Sequence, residues 1–125
     1  MTPVPRSTLD LPPAAALRWE RMAVAIRLGL DAQQPALLRR YVALAHRLAR
    51  TGTLAPEAVW PRMLALLLQT ASDEALPPFW RSICLEHATM PLAQATTLAR
   101  RGAWQGLPAL LARLEALQIA TGAAG

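Results

Sequence analysis

The chain has 125 residues and a formal net charge of +5, with 54% hydrophobic and 17% charged residues. That is one domain by size, and it is too apolar for an intrinsically disordered protein. Leu and Ala supply 49 residues against seven Val and Ile, which argues against a β-rich fold.

Residues 1–10 carry Pro3, Pro5 and Arg6 and read as a flexible tail without the apolar core of a signal peptide. Asp10, Pro12 and Pro13 announce a first helix that ends near Gly29, because a first-turn proline lacks only an N–H the helix does not use. This helix has two apolar faces: Trp19, Met22, Ile26 and Leu30 on one, and Leu17, Val24 and Leu28 on the other. Both faces should therefore meet neighbours. Pro35 opens a second helix, which runs to Arg50 and is broken by Thr51-Gly52-Thr53. Pro56 and Glu57 open a third, to about Ala71, which Pro61 should kink or restart. Its segment Met63–Leu68 has no polar face, so it belongs in the middle of a bundle. Pro77 and Pro78 open a fourth helix, to about Ala88, and Pro91 a fifth, to Arg101 and Gly102. A sixth spans about Leu107 to Ala120, with residues 122–125 frayed. The expected fold is all-α: a compact bundle of five to six short helices over residues 11–121, in which two αα-hairpins are a candidate unit. No stretch reaches the roughly 20 apolar residues of a membrane span.

A faint repeat recurs at an offset of 50 residues. Leu48-Ala49-Arg50 with Gly52 matches Leu98-Ala99-Arg100 with Gly102. The stretch Leu98 to Trp104 resembles the helix and turn of tetratricopeptide-like hairpins, which implies paired helices. The full pattern of that family and its 34-residue period are missing.

Charge is unevenly placed. All 13 basic residues of the Lys/Arg class are Arg; eight lie in residues 1–50 against three acids, while residues 51–125 are neutral. On a wheel of about 100° per residue with Arg39 at the origin, Arg50 falls at about 20°, Arg47 at about 80° and Arg40 at about 100°. His46 lies beside Arg39, and Leu37, Leu38, Tyr41, Leu44 and Leu48 fill the opposite arc. No acid after Asp31 neutralises the stripe. Arg39, Arg40, Arg47 and Arg50 are thus the candidate contacts for nucleic-acid phosphates or an acidic partner surface. The competing reading is an ordinary solvated helix face.

Four Trp, at positions 19, 60, 80 and 104, could stack bases beside Arg18, Arg62 and Arg81, but core packing is the simpler expectation. Trp104, between Gly102 and Gly106, is the one expected at the surface. With Leu107, Leu110 and Leu114 it forms a candidate protein interface. Cys84 and His87 share a helical face, yet the chain lacks the further ligands of a zinc site and the surrounding motifs of a cysteine nucleophile. Cys84 reads as a small buried apolar residue. No phosphate loop, nucleophile elbow or paired-carboxylate motif occurs, so no catalytic residue, metal or cofactor is expected.

The sequence therefore points to a non-catalytic small helical subunit of a larger bacterial, cytoplasmic assembly. Other protein subunits are its expected partners, with nucleic acid and self-association left open. The alternative is a helical-hairpin adaptor or secretion-type chaperone that holds a partner helix without nucleic acid.

Overall fold

The computed structural model describes residues 13–124, with side chains to residue 120. Six helices follow one another: α1 Ala14–Leu28, α2 Pro35–Arg50, α3 Pro56–Ser72, α4 Pro78–Glu86, α5 Thr89–Arg100 and α6 Leu107–Ala124. No strand occurs among the described residues. None of the helices is long and apolar enough to cross a membrane. The expected tail over residues 1–10 lies outside the described residues.

Proline sets the helix starts. Pro35, Pro56 and Pro78 each occupy the first turn of α2, α3 and α4, and no helix for which a cap is described uses a side-chain N-cap. Three expectations of detail need correction. Pro61 does not restart α3, which runs on through it; the ring forfeits one bond, to the carbonyl of Glu57, and the helix is held by the five helices packed against it. Pro91 does not open α5, which begins two residues earlier; its third helical position is still one where no N–H is needed. The helical backbone of α6 continues to Ala124, past the expected end at Ala120, because nothing there forbids it: Gly122 weakens a helix by about 1 kcal/mol but does not stop one.

The offset-50 repeat is a repeat of helix endings. Gly52 and Gly102 both adopt left-handed backbone, φ 75° and 73°, which a residue without Cβ adopts at no steric cost. Their N–H groups donate to Ala49 and Ala99 at 3.3 and 3.0 Å, recovering carbonyls that α2 and α5 leave open. The helices that follow differ: α3 packs against α1, α2, α4, α5 and α6, whereas α6 rests on α3 and more lightly on α5. Each turn keeps its local role while the tertiary surroundings diverge.

That central place accounts for the composition of α3. Val59, Met63, Leu64, Leu67 and Leu68 are fully buried, and Ala65 and Leu66 half-buried, so the segment expected to be least accessible is so apart from those two. Around it Trp19, Ile26, Leu38, Tyr41, Trp80 and Ala95 complete one contiguous core. Trp19 stacks on Tyr41, ring centroids 5.3 Å apart and planes 8° from parallel. The guanidinium of Arg62 lies 5.8 Å from the Trp19 ring and pairs with Glu20 (Nη2 to Oε1, 2.6 Å), tying α3 to α1. Trp80 Nε1 donates to the Ile26 carbonyl at 3.0 Å, pinning α4 to the end of α1.

One face of α1 departs from expectation. Trp19 and Ile26 are buried, but Leu17, Val24 and Leu28 are 41%, 55% and 57% exposed, and Leu30, expected on the face of Trp19 and Ile26, is 69% exposed. The loop leaving Gly29 carries Leu30 outward, and none of the described elements covers the outer side of α1. An amphipathic pattern reveals that a face is apolar; only the packing reveals whether this chain supplies the cover.

Candidate functional site

The second helix divides as its sequence implies. Leu37, Leu38, Tyr41, Leu44, Ala45 and Leu48 are buried, while Arg39, Arg40, His46, Arg47 and Arg50 are exposed. None of these four arginines has an ion pair among the described residues, where the pairs are Arg27 with Asp73 (2.8 Å) and Arg62 with Glu20. Arg47 and Arg50 lie in the last turn of α2, where positive charge complements the helix dipole. Arg39 and Arg40 lie before that turn and have no such local role.

The structure splits the stripe. Arg40 and Arg47 border a groove of about 510 Å³ between α1 and α2, and Arg18 of α1 joins them across it. Met22, Leu37, Ala43 and Leu44 complete its lining. Arg39 and Arg50 lie further round α2 and are not part of this groove. Arg18 and Met22 are the residues that the sequence reading missed. They stand one helical turn apart on α1, a spacing visible in the sequence, but only the packing of α1 on α2 brings them opposite Arg40 and Arg47. Three arginines from two helices thus border an apolar floor, with no carboxylate among the described residues that line it.

A second groove, of about 360 Å³ between α1 and α3, makes the contrast. It is lined by Ala23, Val24, Leu28, Tyr41 and Leu66 together with Glu20, Arg27 and Arg62. All three charged groups are already engaged, since Glu20 holds Arg62 and Arg27 holds Asp73. The Arg27 guanidinium, hydrogen-bonded to the Asp73 carboxylate, keeps that carboxyl below its usual range, with the Ala75 N–H adding to the effect. Burial raises the Tyr41 hydroxyl well above its ordinary value, an effect that Arg62 partly offsets.

The candidate interface on the last turn and helix is largely folded inward. Trp104 is half-buried, with its indole lying over Gly106, and it packs against the core together with Leu110 and Leu114; Leu107 is half-buried. The open apolar surface of α6 is instead Leu111 and Ile119. Trp104 is still the most accessible of the four Trp, because Trp19, Trp60 and Trp80 lie in the core. The Trp expected to pack do so, and no aromatic ring lines the arginine groove.

Cys84 is wholly buried, and burial pushes its thiol up to about 12. The His87 ring holds the Ile83 carbonyl through Nδ1 at 2.9 Å. No group of three His, Cys, Asp or Glu among the described residues could hold a metal. Comparison with protein-family models, with curated proteins and with solved structures returns no match.

Proposed function

We propose that this chain is a non-catalytic helical subunit of a larger assembly, and that it docks an anionic partner through the arginine face of α2. The observation that carries the reading is that Arg18, Arg40 and Arg47 line one groove with no carboxylate among its described lining residues. A solvated face needs charge, but it does not need arginines of two helices lining one groove together with apolar side chains. Arg offers two parallel donors to a carboxylate or a phosphate, so both kinds of anion fit the same chemistry. The buried, poorly ionised Cys84 supports a role without catalysis. Arg without Lys and a lone cysteine support a cytoplasmic bacterial setting.

The test is fluorescence anisotropy with polyglutamate, a single-stranded RNA and a DNA duplex over a range of salt. Wild type should bind at least one of these with a salt-dependent affinity. The variant with Arg39, Arg40, Arg47 and Arg50 all changed to Gln should lose most of that binding while keeping its helical circular dichroism. For duplex DNA each lost phosphate contact should lower the slope of log affinity against log salt by about 0.9. If wild type and variant are indistinguishable toward every polyanion, the arginines are a solvated face and the reading falls.

A further inference from the structure

We infer that the groove between α1 and α2 receives an acidic amphipathic helix of a partner protein. Its apolar edge would lie on Met22, Leu37 and Leu44, and its carboxylates on Arg18, Arg40 and Arg47. The inference rests on the docking role of the arginine face and names its ligand.

The lining carries both halves of the argument. Leu37 and Leu44 are seven residues apart on α2, as are Arg40 and Arg47, so floor and rim each repeat after two turns, about 10 Å. An incoming helix repeats on the same length, and its i, i+3, i+4 and i+7 positions set an apolar edge between flanking acidic positions. Arg40 and Arg47 meet one flank. Arg18, across the groove on α1, meets the other. Met22 closes the floor from the α1 side.

Charge and shape choose among occupants. A nucleic-acid backbone has phosphates for the rim but nothing apolar for the floor, and its bases would find no aromatic ring in the groove on which to stack. The chain's own residues 1–12 contain Arg6 and Asp10 and have no net side-chain charge to set against three arginines. A second copy would have to offer an exposed apolar helix rich in acids. Its two most open ones do not qualify: α1 has Leu17, Val24 and Leu28 exposed but one acid, Glu20, already held by Arg62, and α6 has Leu111 and Ile119 exposed but one acid, Glu115, beside Arg113. A partner protein whose helix is acidic on both flanks of an apolar edge matches rim and floor together.

Two peptides of equal composition test this: one with Leu set along a single helical edge and Glu on both flanks, the other with the same residues scrambled. The patterned peptide should bind wild type about tenfold more tightly than the scramble and gain helical circular dichroism on binding. Ala43 lies in the groove and is exposed, so A43W fills the floor, and A43E adds a carboxylate, without removing an arginine. Both variants should remove the tenfold preference. Equal affinity for the two peptides, with binding still lost in the four-arginine variant, overturns the groove proposal but leaves anionic docking standing. RNA binding that exceeds that of the patterned peptide and survives A43W overturns it in favour of nucleic acid. A chain lacking residues 1–12 that binds the patterned peptide tenfold more tightly assigns the groove to the chain's own N-terminal segment. A dimer that A43W dissolves assigns it to a second copy. Failure of every polyanion and both peptides removes the docking role itself.

Discussion

The indole nitrogens of Trp19 and Trp80 lie in opposite situations. Trp80 Nε1 is buried and bonded to the Ile26 carbonyl; Trp19 Nε1 is buried with no partner among the described residues. Replacing Trp by Phe removes a made hydrogen bond at position 80 and an unmet donor at position 19. Chemical denaturation should therefore find W80F less stable than W19F by about 1–2 kcal/mol, and equal losses would contradict the assignment of the two nitrogens. Burial raises both the Cys84 thiol and the Tyr41 hydroxyl above their ordinary values. A raised folded value means that the unfolded chain releases its proton first. The stabilisation from Cys84 is then full below its ordinary value of 9.0 and fades as pH rises toward about 12. Tyr41 adds a loss that starts near 10.0. Thermal midpoints should fall as pH rises above 9, and C84A should flatten the first part of that fall. A thiol reagent at neutral pH should label Cys84 only as fast as the protein opens.

At the scale of the element, α2 carries two kinds of arginine on one exposed face. Arg47 and Arg50 stand in the last turn, where the unpaired carbonyls of the helix end attract positive charge. Changing both to Gln should cost about 0.3–1 kcal/mol each at low salt, and the cost should shrink as salt is added. Arg39 and Arg40 have neither a dipole role nor an ion pair among the described residues. Changing both to Gln should leave stability within about 0.5 kcal/mol, or raise it slightly by relieving repulsion. The pairs thus differ in stability while both contribute to binding. If Arg39 and Arg40 cost as much stability as Arg47 and Arg50, the arginines are a structural feature of the helix, and the case for binding weakens. The same split explains why a wheel alone overstates the site: one face carries arginines that serve the helix end beside arginines with no such local role.

At the scale of the whole molecule, α3 occupies the middle and the other five helices cover it, so the most apolar segment is hidden by its position in the chain as well as by its composition. What the bundle cannot hide is gathered elsewhere. Leu17, Val24 and Leu28 form one line along the outside of α1, and Phe79, Leu111 and Ile119 add separate exposed points. A small domain has too much surface for its volume to bury every apolar side chain. Changing Val24 and Leu28 together to Gln should leave the unfolding midpoint nearly unchanged while raising the solubility limit of the isolated protein and weakening its attractive light-scattering signal. A drop in stability as large as that of a core substitution would show that this face is covered within the chain.

Much of the fold was legible because its signals are local. Pro35, Pro56 and Pro78 mark helix starts through a missing N–H, and Gly29, Gly52 and Gly102 mark ends through left-handed backbone, whatever the rest of the chain does. The buried face of α2 and the hidden Met63–Leu68 segment follow from hydrophobic spacing. The exposed arginines of α2 were legible for the same reason, since their positions on one helix follow from its period. Relations between helices were not. Spacing could not say that Arg18 and Met22 would stand across a groove from Arg40 and Arg47, or that Trp104, Leu110 and Leu114 would turn inward. Nor could it say that the other described helices would leave the outer face of α1 bare. A helical period fixes the direction in which a side chain points from its own axis; which neighbour lies in that direction, or whether one does, depends on how the other five helices share the limited surface of α3.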